Sequence, residues 1–219
     1  MKMNKTLRKV LVVAAVLAPA VAALAQNAKP KPTTATYITK EQVDALNATE
    51  QGKATVDQNL RVIDLGNENF TVGVIHRSST RNPPPAAAPA ANAAPAATPE
   101  PCGRQMASLP PGGTPGGITH DFQTEGYLIV SGGGTMFTDG YIVNGRHNAQ
   151  PSPGGPNGPT CGGMAYEVKK VDVKVGDVVI VPPGVVHGWA DIPDHVDYLS
   201  FRPSQSVMQA GWVNPTVAK

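Results

Sequence analysis

Apolar and polar residues alternate with a period of two through most of the second half of the chain, the spacing of strands with one buried face. Residues 126–131, 135–138, 164–173, 187–190 and 196–202 carry this pattern. Residues 178–181, Val-Val-Ile-Val, form a continuous β-branched run and predict a fully buried strand. Upstream, Leu60, Val62 and Ile63 followed by Asp64-Leu65-Gly66 predict a strand and a turn, and residues 70–77 place Phe70, Val72, Val74 and His76 on one face. A helical signal stands near the start: Thr39 followed by Gln42 is a capping box, with Val43 and Leu46 on one side of a short helix ending near Asn47. Many short strands separated by turns predict an all-β sandwich or barrel.

Composition adds the interruptions. Glycine and proline make up 45 of 219 residues and concentrate in two stretches, a Pro/Ala tract at 81–101 and a Gly/Pro-rich loop at 144–163. Neither can bury enough apolar surface to offset the entropy of ordering it, so both read as insertions. They interrupt one domain spanning residues 37–203, with a flexible leader at 26–36 before it and a tail at 204–219 after it.

The first 25 residues carry Lys2, Lys5, Arg8 and Lys9, an apolar run from 10 to 20, and then Ala23-Leu24-Ala25, the pattern of a cleaved secretory signal peptide. The expected location is periplasmic or secreted. Cleavage would take the net charge from +2 to −2. No basic stripe then remains for nucleic acid, and no other segment approaches the ~18 apolar residues of a membrane span. In an oxidising compartment Cys102 and Cys161, both beside glycines in loops, are expected to form a disulfide.

Two spaced motifs carry the chemistry. Gly176, Pro182, Gly184 and His187 follow the spacing Gly, five residues, Pro, any residue, Gly, two residues, His, ending with Asp191. Upstream, Gly112, His120, Glu125 and Gly132 fit the spacing Gly, five residues, His, any residue, His, four residues, Glu, six residues, Gly, except that Ile118 occupies the first histidine position. These segments resemble the two signature motifs of the cupin superfamily, which implies a small single-domain exported cupin. The expected fold is a double-sheet jelly-roll β-barrel with a short N-terminal helix and two irregular loops. In that family the paired histidines, the glutamate and the second-motif histidine hold one metal inside the barrel. The resemblance transfers three ligands, His120, Glu125 and His187, and also implies a homodimer joined through its sheets.

Two neutral imidazoles and one carboxylate are independently the mixture that borderline divalent metals favour, so the expected cofactor is one Fe, Cu, Mn or Zn ion. His76 is a candidate replacement for the missing ligand, since the alternation of its strand can present it inward beside Glu125. Tyr127 and Ile129 share a face with Glu125, and Trp189 shares one with His187; with Ile118 they are candidates for the pocket wall. Tyr127 is further a candidate catalytic acid or base. Arg202, closing the last strand, could clamp a carboxylate but reads rather as a solvated strand end, and His147 and His195 read as exposed. The expected function is a metal-dependent enzyme acting on a small organic substrate, by oxidoreductase chemistry of the dioxygenase type, with isomerase and lyase chemistry as alternatives on the same site. The rival reading is a non-catalytic barrel that holds a small ligand such as a sugar, with or without metal.

Overall fold

A computed structural model describes residues 32–49, 55–83, 99–148, 157–205 and 207–218. The expected signal peptide and most of the Pro/Ala tract lie outside the described residues. Helix α1, Lys40–Ala48, begins at the capping box: the Thr39 hydroxyl accepts from the Gln42 amide, and the Gln42 side chain accepts from the Thr39 amide. Eleven strands follow among the described residues: β1 Thr55–Asp64, β2 Asn69–Ser78, β3 Pro101–Cys102, β4 Thr114–His120, β5 Glu125–Thr138, β6 Tyr141–Asn148, β7 Thr160–Tyr166, β8 Lys169–Lys174, β9 Val178–Val181, β10 His187–Asp191 and β11 His195–Ser204. The alternation at 126–138 becomes one long strand, and that at 164–173 divides into β7 and β8 where Glu167 takes a positive φ of 56°. Strands β6 and β7 both extend into the stretch expected to be loop, because Arg146 to Asn148 pair with Gly162 to Thr160.

Every pairing between strands is antiparallel, and β5 belongs to both sheets of the jelly roll. Its first half lies between β9 and β11, which continue to β2 and β1. Its second half lies between β8 and β10, which continue through β4, β7 and β6 to β3. The change of sheet occurs at Gly132-Gly133-Gly134. Gly132 has φ 64°, and a Cβ there would lie 2.0 Å from the His195 carbonyl oxygen. No other residue type fits so close an approach.

Two apolar layers flank the first sheet. Inside, Ile75, Tyr127, Ile129, Met136, Val181, Val196 and Tyr198 form the barrel core. Outside, Val72, Val74, Leu199 and Phe201 pack against Leu46 and Val43 of α1 and against Val213 and Val217 of the C-terminal segment. That segment is anchored by backbone bonds from Val62 to Trp212 and from Asn214 to Leu60. The outer layer stops short of β9. Val179 and Val181 point to the core, whereas Val178 and Ile180 are each 64% exposed, so the strand expected to be buried on both faces is buried on one. A β-branched run fills the inner face here, and nothing among the described residues covers the outer one.

Cys102 and Cys161 are disulfide-bonded, joining β3 to β7 across a separation of 59 residues. The bond closes a long loop that contains all of β4 to β6. Replacing both cysteines by serine is expected to lower stability by about 2–4 kcal/mol. Denaturant melts of the wild type with and without reductant check this, and identical midpoints would count against the bond.

Candidate metal centre

Three elements converge inside the barrel. His120 ends β4, Glu125 begins β5 directly after a four-residue turn, and His187 begins β10 directly opposite Ile118 in register. The second-motif turn is tied to the first motif by the Gly184 amide, which donates to the His120 carbonyl at 2.8 Å. His120, Glu125 and His187 are all buried, and one ligand atom from each lies within 4.8 Å of the others. The Nε2 atoms of His120 and His187 stand 3.3 and 3.2 Å from Glu125 Oε2.

The geometry fits a divalent metal. His187 Nδ1 lies 3.1 Å from the Val185 carbonyl oxygen, an acceptor only, so Nδ1 carries a proton and Nε2 is the nitrogen turned to Glu125. The Nε2 atoms of both histidines and the Glu125 Oε2 oxygen face the same point. Buried polar atoms brought this close are held either by hydrogen bonds, as here, or by a shared cation. Two imidazole nitrogens and one carboxylate oxygen are ligands of Zn, Fe, Mn and Cu chemistry, and three ligands leave positions for a substrate.

The sequence offers Arg202 as a carboxylate clamp but favours a solvated strand end, and the structure reverses that preference. Arg202 is fully buried; its Nε donates to Glu125 Oε1 at 2.6 Å, its Nη2 donates to Asp57 Oδ1 and Oδ2 at 2.8 and 3.0 Å, and its Nη1 donates to Asn59 Oδ1 at 3.2 Å. Gly73 makes room for it, since a Cβ there would sit 2.8 Å from Ser200 Oγ and 3.4 Å from Arg202 Nη1. Arg202 is therefore a buried clamp, not a solvated strand end. Burial pushes the Glu125 carboxyl up, but Arg202 and the hydrogen bonds of His120 and His187 more than offset this and hold it well below the usual range. Because Arg202 takes Oε1, Oε2 is the oxygen left to face a metal. The clue in the sequence was the strict alternation of β11, which places Val196, Tyr198, Ser200 and Arg202 on one buried face.

His76 does not join the cluster. Its Nδ1 lies 2.6 Å from Asp197 Oδ1 and its Nε2 lies 3.2 Å from Ser78 Oγ, and its ring stacks on His195. The alternation of β2 was read correctly but its faces were assigned in reverse. Val72 and Val74 turn outward under α1, so His76 turns outward with them, while Gly73, Ile75 and Arg77 face the barrel. His147 and His195 are half-buried and hold Asp121 and Ser131 respectively, at 2.8 Å each.

Tyr127 is buried with its hydroxyl donating to Glu125 Oε2. Burial first and the Glu125 charge second push its phenol well above 10, so it keeps its proton. A cavity of about 230 Å³ opens from the cluster, walled by Ile118, Trp189, Tyr127 and Tyr198. Ile129 is not part of that wall; it is 1% exposed in the core layer behind. Phe122, 64% exposed, points to solvent.

No family profile matches the chain, and no curated protein is similar to it in sequence. Among solved structures, recombinant oxalate oxidase in complex with glycolate aligns at 13% identity over 81% of this chain, with a TM-score of 0.34; the chain spans 59% of that protein's length. A cupin protein from Bacteroides fragilis aligns at 13% identity over 84% of this chain and 93% of its own, with a TM-score of 0.32. Peruvianin-I, a cysteine peptidase from Thevetia peruviana latex, aligns at 10% identity over 85% of this chain and 100% of its own, with a TM-score of 0.37. The assignment rests on the chain's own features: its two cupin-type motifs, its antiparallel jelly roll, and the His120, Glu125 and His187 cluster that the motifs bring together inside the barrel give it a cupin fold with a candidate metal centre.

Proposed function

We propose that the protein is an exported, metal-dependent cupin enzyme that acts on a small organic substrate, by oxidoreductase chemistry of the dioxygenase type. One observation carries this: three buried ligand atoms within 4.8 Å of one another border a cavity large enough for a small molecule. A divalent metal held by His120, Glu125 and His187 would supply Lewis acidity and open coordination positions to that substrate. Around it the chain's own groups have separable tasks. Arg202 orients Glu125, the Val185 carbonyl orients the His187 ring, Ile118 and Trp189 wall the cavity, and Tyr127 holds a proton at Oη beside the site. The signal peptide expected at residues 1–25 accounts for export, and the Cys102–Cys161 bond is the kind that persists in an oxidising compartment.

A second reading has its own support. The Arg202–Glu125 ion pair already balances the Glu125 charge, as a metal-free barrel that binds a small ligand would need. Metal content of the purified protein beside His187→Ala separates the two.

The homodimer implied by the cupin resemblance has a fitting surface. Val130, Val178 and Ile180 form an exposed apolar strip on the outer face of β5 and β9, beyond the reach of α1. The wild type is expected to elute as a dimer in light-scattering chromatography, and Ile180→Asp as a monomer. A monomeric wild type would overturn this.

A further inference from the structure

The barrel holds two arginines with different surroundings. Arg202 is fully engaged by Glu125, Asp57 and Asn59. Arg77, on the same inward face of the sheet, lines the cavity that the metal cluster borders. Its Nε donates to the Tyr198 hydroxyl oxygen at 3.0 Å, and that oxygen also accepts from Trp189 Nε1 at 3.4 Å. Among the described residues, the guanidinium makes no ion pair with any carboxylate. Asp57 is the nearby acid, and both its oxygens are bound to Arg202 Nη2. The Tyr198 bond fixes the Arg77 fork at one edge and leaves its Nη groups for another partner. Two aromatic rings, Tyr198 against Tyr127 at 4.7 Å between centroids, stand between this cation and Glu125.

Charge counting gives the sign of that partner. The cavity and its immediate backing hold two guanidiniums, Arg77 and Arg202, and two carboxylates, Asp57 and Glu125. They balance. A divalent metal on two neutral imidazoles and Glu125 leaves two positive charges around a small cavity, and a surplus of charge on buried groups is costly unless the ligand neutralises it. A planar, fork-shaped donor set matches a carboxylate in particular. From this we infer that the site takes a small organic carboxylate, a molecule of a few carbon atoms whose carboxylate pairs with Arg77 while its other end faces the metal centre. The charge surplus and the metal-facing half of this inference rest on the function proposed above; the Arg77 fork, held at one edge by Tyr198, does not.

The test is calorimetric titration of acetate, glycolate, succinate and glutarate, with succinamide as the uncharged counterpart of succinate, into the full exported protein. The titrations are run without metal and after zinc loading, and repeated with Arg77→Ala and Arg77→Lys. At least one carboxylate is expected to bind, succinamide at least tenfold more weakly than succinate, and Arg77→Ala to weaken carboxylate binding about 30-fold or more. Arg77→Lys should recover part of the loss, because it restores the charge but not the fork. Arg77→Ala should still take up the metal. If no carboxylate binds in either state, or if succinamide binds as well as succinate, the inference is wrong, and neither result depends on a variant that folds. Carboxylate binding that needs Arg77 in a protein that never takes up metal would keep the Arg77 assignment and remove the metal centre. Metal uptake without carboxylate binding would do the reverse.

Discussion

Arg202→Met is expected to lower the stability of the metal-free protein by about 3–5 kcal/mol at pH 7, the cost of leaving buried charges without their partner. Glu125 is 2% exposed and would lose the 2.6 Å bond that compensates it, and Asp57 would lose both of its contacts to Arg202 Nη2. Methionine matches the length of the aliphatic stem, so packing changes least and the charge dominates. Replacing the three charges together, as Asp57→Asn, Glu125→Gln and Arg202→Met, should recover most of the loss, because it is the unpaired charge and not the absent pair that destabilises. The effect has a definite pH dependence. Arg202 and the two imidazoles hold the Glu125 carboxyl below its ordinary value of 4.5 despite the opposing effect of burial. A carboxyl depressed on folding contributes stability that is complete above its unfolded value, about 4.3, and is lost as pH falls through its folded value. The gap between wild type and Arg202→Met should thus be full at pH 7 and narrow in acid. Urea melts at several pH values check both. A gap below about 1 kcal/mol at pH 7, or one that does not narrow in acid, would show that the clamp is not electrostatic.

What the sequence disclosed and what it withheld divide along physical lines. His120, Glu125 and His187 were legible because fixed spacings within two turns set them, and the structure brings the three together. Helix α1 was legible for the same local reason, a hydroxyl and an amide side chain three residues apart. The faces of β2 were not. Alternation alone does not say which side is the barrel, and here the apolar side, with Val72 and Val74, lies outward because α1 and the C-terminal segment cover it. The inward side carries Gly73 and Arg77, which look like exposed positions until the site they border is known. Arg202 was misread on the same ground. Its partners lie 77 and 145 residues away in sequence, so no local pattern marks a buried ion pair. The outer half of β9 shows the converse, since a run apolar at every position has no alternation by which to distinguish a face that the chain itself leaves uncovered.

The purified protein is expected to contain close to one equivalent of a divalent metal by elemental mass spectrometry, and His187→Ala less than about a tenth of that. Loss of a residue that only supports a ligand costs about 10–100-fold in metal affinity, and loss of a ligand from a set of three should cost more. The neighbouring contacts explain why His187 is the informative position. Glu125 is also tied to Arg202 and Tyr127, so a change there would disturb the ion pair as well. Besides the cluster, His187 bonds the Val185 carbonyl and lies tilted against the Tyr127 ring, and its removal leaves the Arg202–Glu125 pair intact. The variant should therefore fold, and melts with and without metal give a second readout. A metal held only by the folded state raises stability by about 2.7 kcal/mol at a hundred times its dissociation constant, and that increment should vanish in His187→Ala. Equal metal content in both proteins would place the ion elsewhere. Wild type that takes up none of iron, copper, manganese or zinc on reconstitution would favour the metal-free binding barrel, in which Arg202 alone neutralises Glu125 and the two imidazoles become hydrogen-bonding groups of a ligand pocket.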